Sequence, residues 1–510
     1  MSAYDVYLIS PQLALAGLGI LVIVLDLAFG RKALLPAVAF LGLLVPLAFS
    51  LIQIADLLGL FGFPGTDNLV PADSILAGSL AVDRFSLFFN FLILAATGLV
   101  VLSSVDYMRR MDRNRGEFFG LMLLSATGMM LMVGASELIT IYISLELTTL
   151  PLAALAALLL TAKSSEAGMK FLIVGALSSA IMLYGMAMIY GFTGSTTLEG
   201  IAQSFSSPAQ QNVPFGSYAL LLGVILLLVG FGFKLSAVPF QMWVPDVYEG
   251  APTPVVAFLS VASKAAAFAL VLRVLYSGFL DVSLELIPDW AILLAVLAAA
   301  SMTIGNLAAI VQTNLKRLLG YSAIAHAGYL LVGIAAIAKT GDGGFSSLGP
   351  SSVLFYLGAY AAANLTAFFA IVAIGHRIDS DEIDDYAGMI RRSPFLAVAL
   401  ALALVALIGV PPTSIFIAKI YIFTAAVDSG LLWLAIVGVV NSVVSAYYYI
   451  RVIRVMFLEA SPSDEGVAAS PVSKFALAVA AIATVWIGLA PGMVLQAAEG
   501  AARVLPGIGS

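Results

Sequence analysis

Three lysines stand where apolar side chains surround them. Lys264 lies in VVAFLSVASKAAAFALVLRVL, Lys234 in GFGFKLSAVPF and Lys419 in GVPPTSIFIAKIYIF. A carboxylate, Glu146 in ITIYISLELTTLPL, and an imidazole, His326 in LKRLLGYSAIAHAGYLLVG, have similar settings. A charged side chain near a bilayer centre costs about 2.5–3.5 kcal/mol on insertion scales, so each one calls for a reason. Amines, carboxylates and imidazoles share one chemistry, taking up and releasing protons. An amine with its ordinary pKa of about 10.4 keeps its proton at neutral pH. Apolar surroundings favour the neutral form of such a group and a carboxylate neighbour favours the charged one. Changing the neighbour's influence therefore loads and unloads a proton. Three lysines with Glu146 and His326 between them would form a polar chain through the membrane.

The competing explanation is snorkelling, in which a lysine near a helix end reaches the interface with its stem. Lys316 and Arg317 open a span and fit it. Lys264 does not, since about eleven residues on each side put it roughly 16 Å from either end. Lys234 precedes Pro239, and Lys419 follows Pro411 and Pro412. Proline removes a backbone donor, and such irregular backbone persists in a membrane only inside protein or against a wet cavity. An isolated Glu146 would be protonated, whereas a nearby lysine would keep it ionised, and Lys234 is the candidate partner. Glu137, at a span end, reads as interfacial. His326 is either a hydrogen-bonded packing residue or a relay, and its ordinary pKa near 6.5 keeps both readings open. His376 closes a span beside Arg377 and reads as interfacial. The stretch RIDSDEIDDYAGMIRRSP, 377–394, reads as facing solvent or a partner subunit.

The elements that position these groups follow from composition. The chain has 510 residues, 62% hydrophobic and 10% charged, with a mean hydropathy of +1.07. A soluble domain of this size needs far more charge. Apolar runs near twenty residues recur, each able to cross a hydrocarbon core about 30 Å thick. The sequence predicts an all-α polytopic membrane protein of about 14 transmembrane helices. The spans read near 8–29, 34–59, 82–103, 118–135, 138–161, 168–191, 218–240, 253–277, 290–312, 318–338, 352–375, 395–426, 430–457 and 474–496. Spans 7 and 12 contain prolines and read as broken. The start, MSAYDVYLIS, has no basic region before its apolar run, which reads as a retained first helix. With no cysteine, the chain offers no disulfide or thiolate ligand for an iron–sulfur cluster. Nor does a dinucleotide fingerprint follow any strand-like segment.

Lys and Arg placement gives an independent check. Sixteen fall on one side: Arg31, Lys32, Arg109, Arg110, Arg113, Arg115, Lys163, Lys170, Lys316, Arg317, Arg377, Arg391, Arg392, Arg451, Arg454 and Lys474. Four fall on the other: Arg84, Arg273, Lys339 and Arg503. The positive-inside rule then puts both termini on the outer side. Lys234, Lys264 and Lys419 belong to neither side. The two proline-broken spans are five crossings apart, an odd number, so the halves holding them would have opposite orientations. Such inverted repeats place transport sites at their broken helices. The expected organisation is a single membrane domain, 1–510. A first five-helix repeat occupies 118–277 and a second, inverted one 290–457, with flanking helices at 8–103 and 474–496. Lysine precedes proline in the first half and follows it in the second.

These tracts resemble the antiporter-like membrane subunits of respiratory complex I, NADH:quinone oxidoreductase, and most nearly the subunit N group. The resemblance rests on FKLSAVPFQMWVPDVYEGAPTPVVAFLSVASKAAAF (233–268), LKRLLGYSAIAHAGYLLVG, IDDYAGMIRRSP, GVPPTSIFIAKIYIF and VVNSVVSAYYYIRVIRVMF, and covers most of the chain. It implies a proton-pumping module. In it the fifth-helix glutamate, Glu146, pairs with the seventh-helix lysine, Lys234. The eighth-helix lysine, Lys264, leads past His326 to the twelfth-helix lysine, Lys419. It also implies no cofactor in this chain, with flavin and iron–sulfur clusters in partner subunits and quinone as substrate of the complex. Its partners would be the other membrane subunits, sister antiporter-like subunits among them, and the lipid bilayer, with no nucleic acid. The setting would be a bacterial cell membrane. Two departures stand out: Gln241 where the family usually has histidine, and TSIF in place of TAGF.

A cation/proton antiporter subunit independent of any redox enzyme is the alternative, since such proteins share the fold. VPDVYEGAPTPV and SAYYYIRV favour the complex I reading. A solute permease would cluster its polar residues around one cavity, and here they spread over several spans.

Overall fold

Backbone amides have no water to bond in a bilayer, so each apolar run must close its own hydrogen bonds as a helix. The structure is a computed structural model describing residues 3–28, 34–58, 78–109, 115–205, 216–280, 286–337, 345–461, 463, 465–506 and 508. Eleven membrane-spanning helices come first: α1 (Ser10–Ala28), α2 (Leu35–Leu57), α3 (Arg84–Met108), α4 (Arg115–Gly134), α5 (Leu138–Ala156), α6 (Ala162–Thr193), α7 (Tyr218–Leu235), α8 (Thr253–Gly278), α9 (Trp290–Ile310), α10 (Leu315–Ala335) and α11 (Leu348–Ile378). The next crossing, α12, is split into Pro394–Ile408 and Ser414–Asp428. Then follow α13 (Leu432–Leu458) and α14 (Pro471–Leu489). With α12 counted once, the described residues make fourteen crossings and the fold is an all-α multi-pass membrane protein. The two spans read as broken at their prolines, the seventh and the twelfth, are both interrupted.

The breaks differ from the expected boundaries in a way that matters. The span predicted to reach residue 240 stops being helical at Leu235. Ser236 has a left-handed φ of 62° and the Val238–Pro239 bond is cis. A short helix, Val244–Gly250, follows. α8 holds a third irregularity that no proline marks, a π turn over Leu259–Ser263, immediately before Lys264.

Burial sorts the helices into an inner set and a shell. The apolar windows of α8, α10 and α11 are 100%, 94% and 94% buried, against 33% for α1 and α14. Lys264 and His326 therefore ride on inner helices.

Ion pairs gather at the two ends of the bundle. At the end expected to be basic, Asp246 and Glu249 of the short helix share Arg317, at 2.6 and 3.0 Å. Lys170 and Lys163 complete this knot. Burial alone would raise the Asp246 carboxyl, but hydrogen bonds from Lys170 and Arg317 outweigh it and hold the group below its ordinary value. Burial opposes Lys163 and Arg317 in the same way at Glu249, and again loses. At the opposite end Arg273 grips Asp83 with two 2.9 Å hydrogen bonds. Arg31, Lys32, Arg110, Arg113 and Lys339 lie outside the described residues.

Candidate functional site

Lys234 occupies the last turn of α7, where unpaired carbonyls carry partial negative charge. Its amine donates to the Thr149 hydroxyl on α5, with the Phe171 and Phe233 rings 5.9 and 5.6 Å away. Glu146 lies one turn before Thr149. The expected contact between Glu146 and Lys234 is not made: Thr149 takes the amine, and no ion pair within 4.0 Å joins the two charges. The carboxylate remains close enough for its charge to act on Lys234. One of its oxygens, Oε1, is buried with no hydrogen-bond partner.

Lys264 begins the second α-helical segment of α8, just past the π turn. Its Nζ donates to the Ala323 carbonyl of α10 at 2.6 Å and stands 5.3 Å from the Tyr360 ring of α11. His326 lies one turn beyond Ser322 on α10, fully enclosed. Its Nδ1 is 2.8 Å from the Tyr356 hydroxyl, and its ring is 5.0 Å from Tyr360 and 5.6 Å from Tyr329. Lys419, in the second half of α12, reaches back across the break. Its Nζ donates to the Ile408 carbonyl at 2.8 Å and lies 4.6 Å from the Tyr329 ring. Ile408 is the last residue of the first half-helix, so the amine sits at that half-helix's negative end. Lys234 and Lys419 are thus placed alike, each beside the C-terminal end of a first half-helix, despite their opposite order relative to proline.

Tyr360 borders both Lys264 and His326, and Tyr329 borders both His326 and Lys419. Lys264, His326 and Lys419 thus share one enclosed, tyrosine-walled region at the centre of the bundle. Lys234 and Glu146 form a second pocket, and among the described residues no hydrogen bond links its amine to Lys264.

This arrangement can be set against known proteins. The NADH:quinone oxidoreductase/Mrp antiporter transmembrane family model matches residues 135–445. A protein named NADH-quinone oxidoreductase subunit N from Dehalococcoides mccartyi is 44% identical over 436 residues, covering 85% of this chain and 89% of that one. One of the same name from Desulfitobacterium hafniense is 40% identical over 520 residues, covering 99% and 100%. The chain belongs to the NADH-quinone oxidoreductase subunit N family. A chain of respiratory complex I from Thermus thermophilus superposes with a TM-score of 0.76 at 32% identity, covering 96% of this chain and 99% of that one.

In this member of the subunit N family, several groups around the lysines gave no sign in the sequence. Thr149, Tyr329, Tyr356 and Tyr360 carry no charge that would mark them within an apolar run. Lys316 corrects an expectation: it is buried rather than snorkelling, donating to the Ala251 carbonyl at 3.2 Å and pairing with Asp381 at 3.1 Å. A cavity of about 510 Å³ opens above it, lined by Tyr107, Thr253, His376, Asp381 and Glu382 among others. His376 and part of the acidic stretch therefore wall a basin at the basic end. The signal for this was available, since 379–385 holds the carboxylates a buried Lys316 requires. Gln241 has a buried Oε1 without a partner.

Proposed function

We propose that this chain is a proton-translocating membrane subunit of an NADH:quinone oxidoreductase. In this reading quinone reduction elsewhere in the assembly drives protons along Glu146, Lys234, Lys264, His326 and Lys419. The observation that carries it is the enclosure of Lys264, His326 and Lys419 in one cluster on the inner helices. None of these amines is in contact with a carboxylate, so no fixed ion pair locks its charge. Each is held by a carbonyl or hydroxyl, which leaves its proton exchangeable. The broken backbone beside Lys234 and Lys419 frees carbonyls that bind water. In this reading two inverted repeats, 118–277 and 290–457, each contribute one broken helix, and Lys264 of the first reaches the pocket of the second.

In this reading the flavin, iron–sulfur and quinone chemistry belongs to partner subunits, which agrees with the lack of a cluster-holding thiolate in this chain. Sister antiporter-like subunits are its neighbours in a bacterial plasma membrane, with both termini outside. The antiporter reading is weaker, because relatives named subunit N match over nearly the whole chain.

The test has two parts. Purification in mild detergent should bring down flavin- and iron–sulfur-containing polypeptides with the chain, and their absence would favour the independent antiporter. Lys264→Ala in the assembled complex should stop most proton uptake into liposomes. Undiminished uptake would remove Lys264 from the path.

A further inference from the structure

Helices α8 and α11 meet in successive polar layers. One turn before Lys264, Ser260 accepts a 2.7 Å hydrogen bond from Asn364 Nδ2. That layer is closed. One turn along both helices the pairing is Lys264 with Tyr360, and this layer is left open. Tyr360 is 1% exposed and its hydroxyl has no partner, although its ring lies 5.3 Å from the Lys264 amine and 5.0 Å from the His326 ring. Folded interiors rarely leave a hydroxyl unpartnered, and an ordered water is the usual explanation.

The other two tyrosines around His326 are engaged. Tyr356 bonds its Nδ1 and Tyr329 accepts from Ser442. His326 makes no hydrogen bond through its second nitrogen among the described residues. The ring that carries this uncommitted hydroxyl thus borders both a proton donor and a proton acceptor.

We propose that Tyr360 carries protons between Lys264 and His326 through one ordered water on its hydroxyl. This rests on the relay reading above and names a member it lacks. In the step, an N–H bond of the Lys264 ammonium breaks as its proton passes to the water. The water gives a proton to the Tyr360 oxygen, while the original Tyr360 proton moves to His326 Nε2. The amine ends neutral, the imidazole ends protonated, and water and tyrosine are unchanged.

The test is proton uptake by the whole complex in liposomes. Tyr360→Phe keeps the ring and should lower uptake about a hundredfold, the low end for removing a positioned proton-transfer group. Tyr360→His, which can also pass a proton, should recover part of that loss. Tyr276→Phe removes a buried, unpartnered hydroxyl elsewhere on α8 and should pump normally. Wild-type uptake in Tyr360→Phe, beside a Lys264→Ala variant that has lost uptake, overturns the proposal alone. Wild-type uptake in Lys264→Ala removes the relay reading beneath it. Should Tyr360→Phe not assemble, a density map of the wild-type complex decides. Water density bonded to the Tyr360 hydroxyl supports the proposal, and dry apolar packing there sinks it.

Discussion

At the scale of single residues, a buried amine is held by whichever oxygen reaches it, and each lysine has a different one. Lys234 has a threonine hydroxyl, Lys264 an intact helix's carbonyl and Lys419 the carbonyl at a helix break. Lys234→Ala should therefore abolish most pumping while the complex still assembles, because it removes the carrier without leaving a charge behind. Proton uptake at wild-type rate in that variant would count against the role. Glu146→Gln should slow turnover and alter its pH dependence, since the carboxylate acts on Lys234 at a distance rather than through a locked pair. An unchanged pH profile would separate the two residues. Lys316→Ala should be costly, because Asp381 would lose the ammonium that pairs with it. A silent Lys316→Ala would restore the snorkelling view. The lysines were legible in the sequence because charge in an apolar run is anomalous. The tyrosines were not, since an aromatic ring belongs in such a run and only its position reveals what the hydroxyl does.

At the scale of elements, the prolines announced the breaks in α7 and α12, whereas the π turn went unseen because LSVAS contains neither proline nor glycine. Gly409 shows how closely the α12 break is fitted to its lysine. It has a φ of 89°, and a Cβ there would lie 2.9 Å from Lys419 Cδ. Gly409→Ala is strained in that conformation and pushes the amine off the Ile408 carbonyl. Pumping should fall with little change in assembly, as measured by uptake per assembled complex. The short helix after α7 has a pH signature. Asp246 and Glu249 titrate below their ordinary values of 3.8 and 4.5 in the folded chain. Their contribution to stability is complete above those values and is lost as pH falls through the lower folded ones. Amide exchange over 244–250 should rise on acidification below about pH 4. Arg317→Gln, which removes the shared guanidinium, should show faster exchange already at neutral pH.

At the scale of the whole molecule, fourteen crossings put the ends of alternate helices together, and the ion pairs agree with that alternation. Lys163, Lys170, Lys316 and Arg317 meet their acids at one end, and Arg273 meets Asp83 at the other. Crossing number and end-to-end grouping were legible because both follow from apolar length and the spacing of basic residues. Which helices form the interior was not, since α1 and α8 are about equally apolar and differ only in what packs around them. The positive-inside rule assigns the Lys163 end to the cytoplasm, and the chain makes the check simple because it has no cysteine of its own. Asp428→Cys, at the C-terminal end of α12, should react with a membrane-impermeant maleimide in right-side-out vesicles. Glu465→Cys, between α13 and α14, should react only after the vesicles are opened. Both side chains belong to exposed residues, so accessibility within the protein is not the variable. The reverse labelling pattern would invert the molecule, place the Lys316 basin outside and turn the direction of the proposed proton path around.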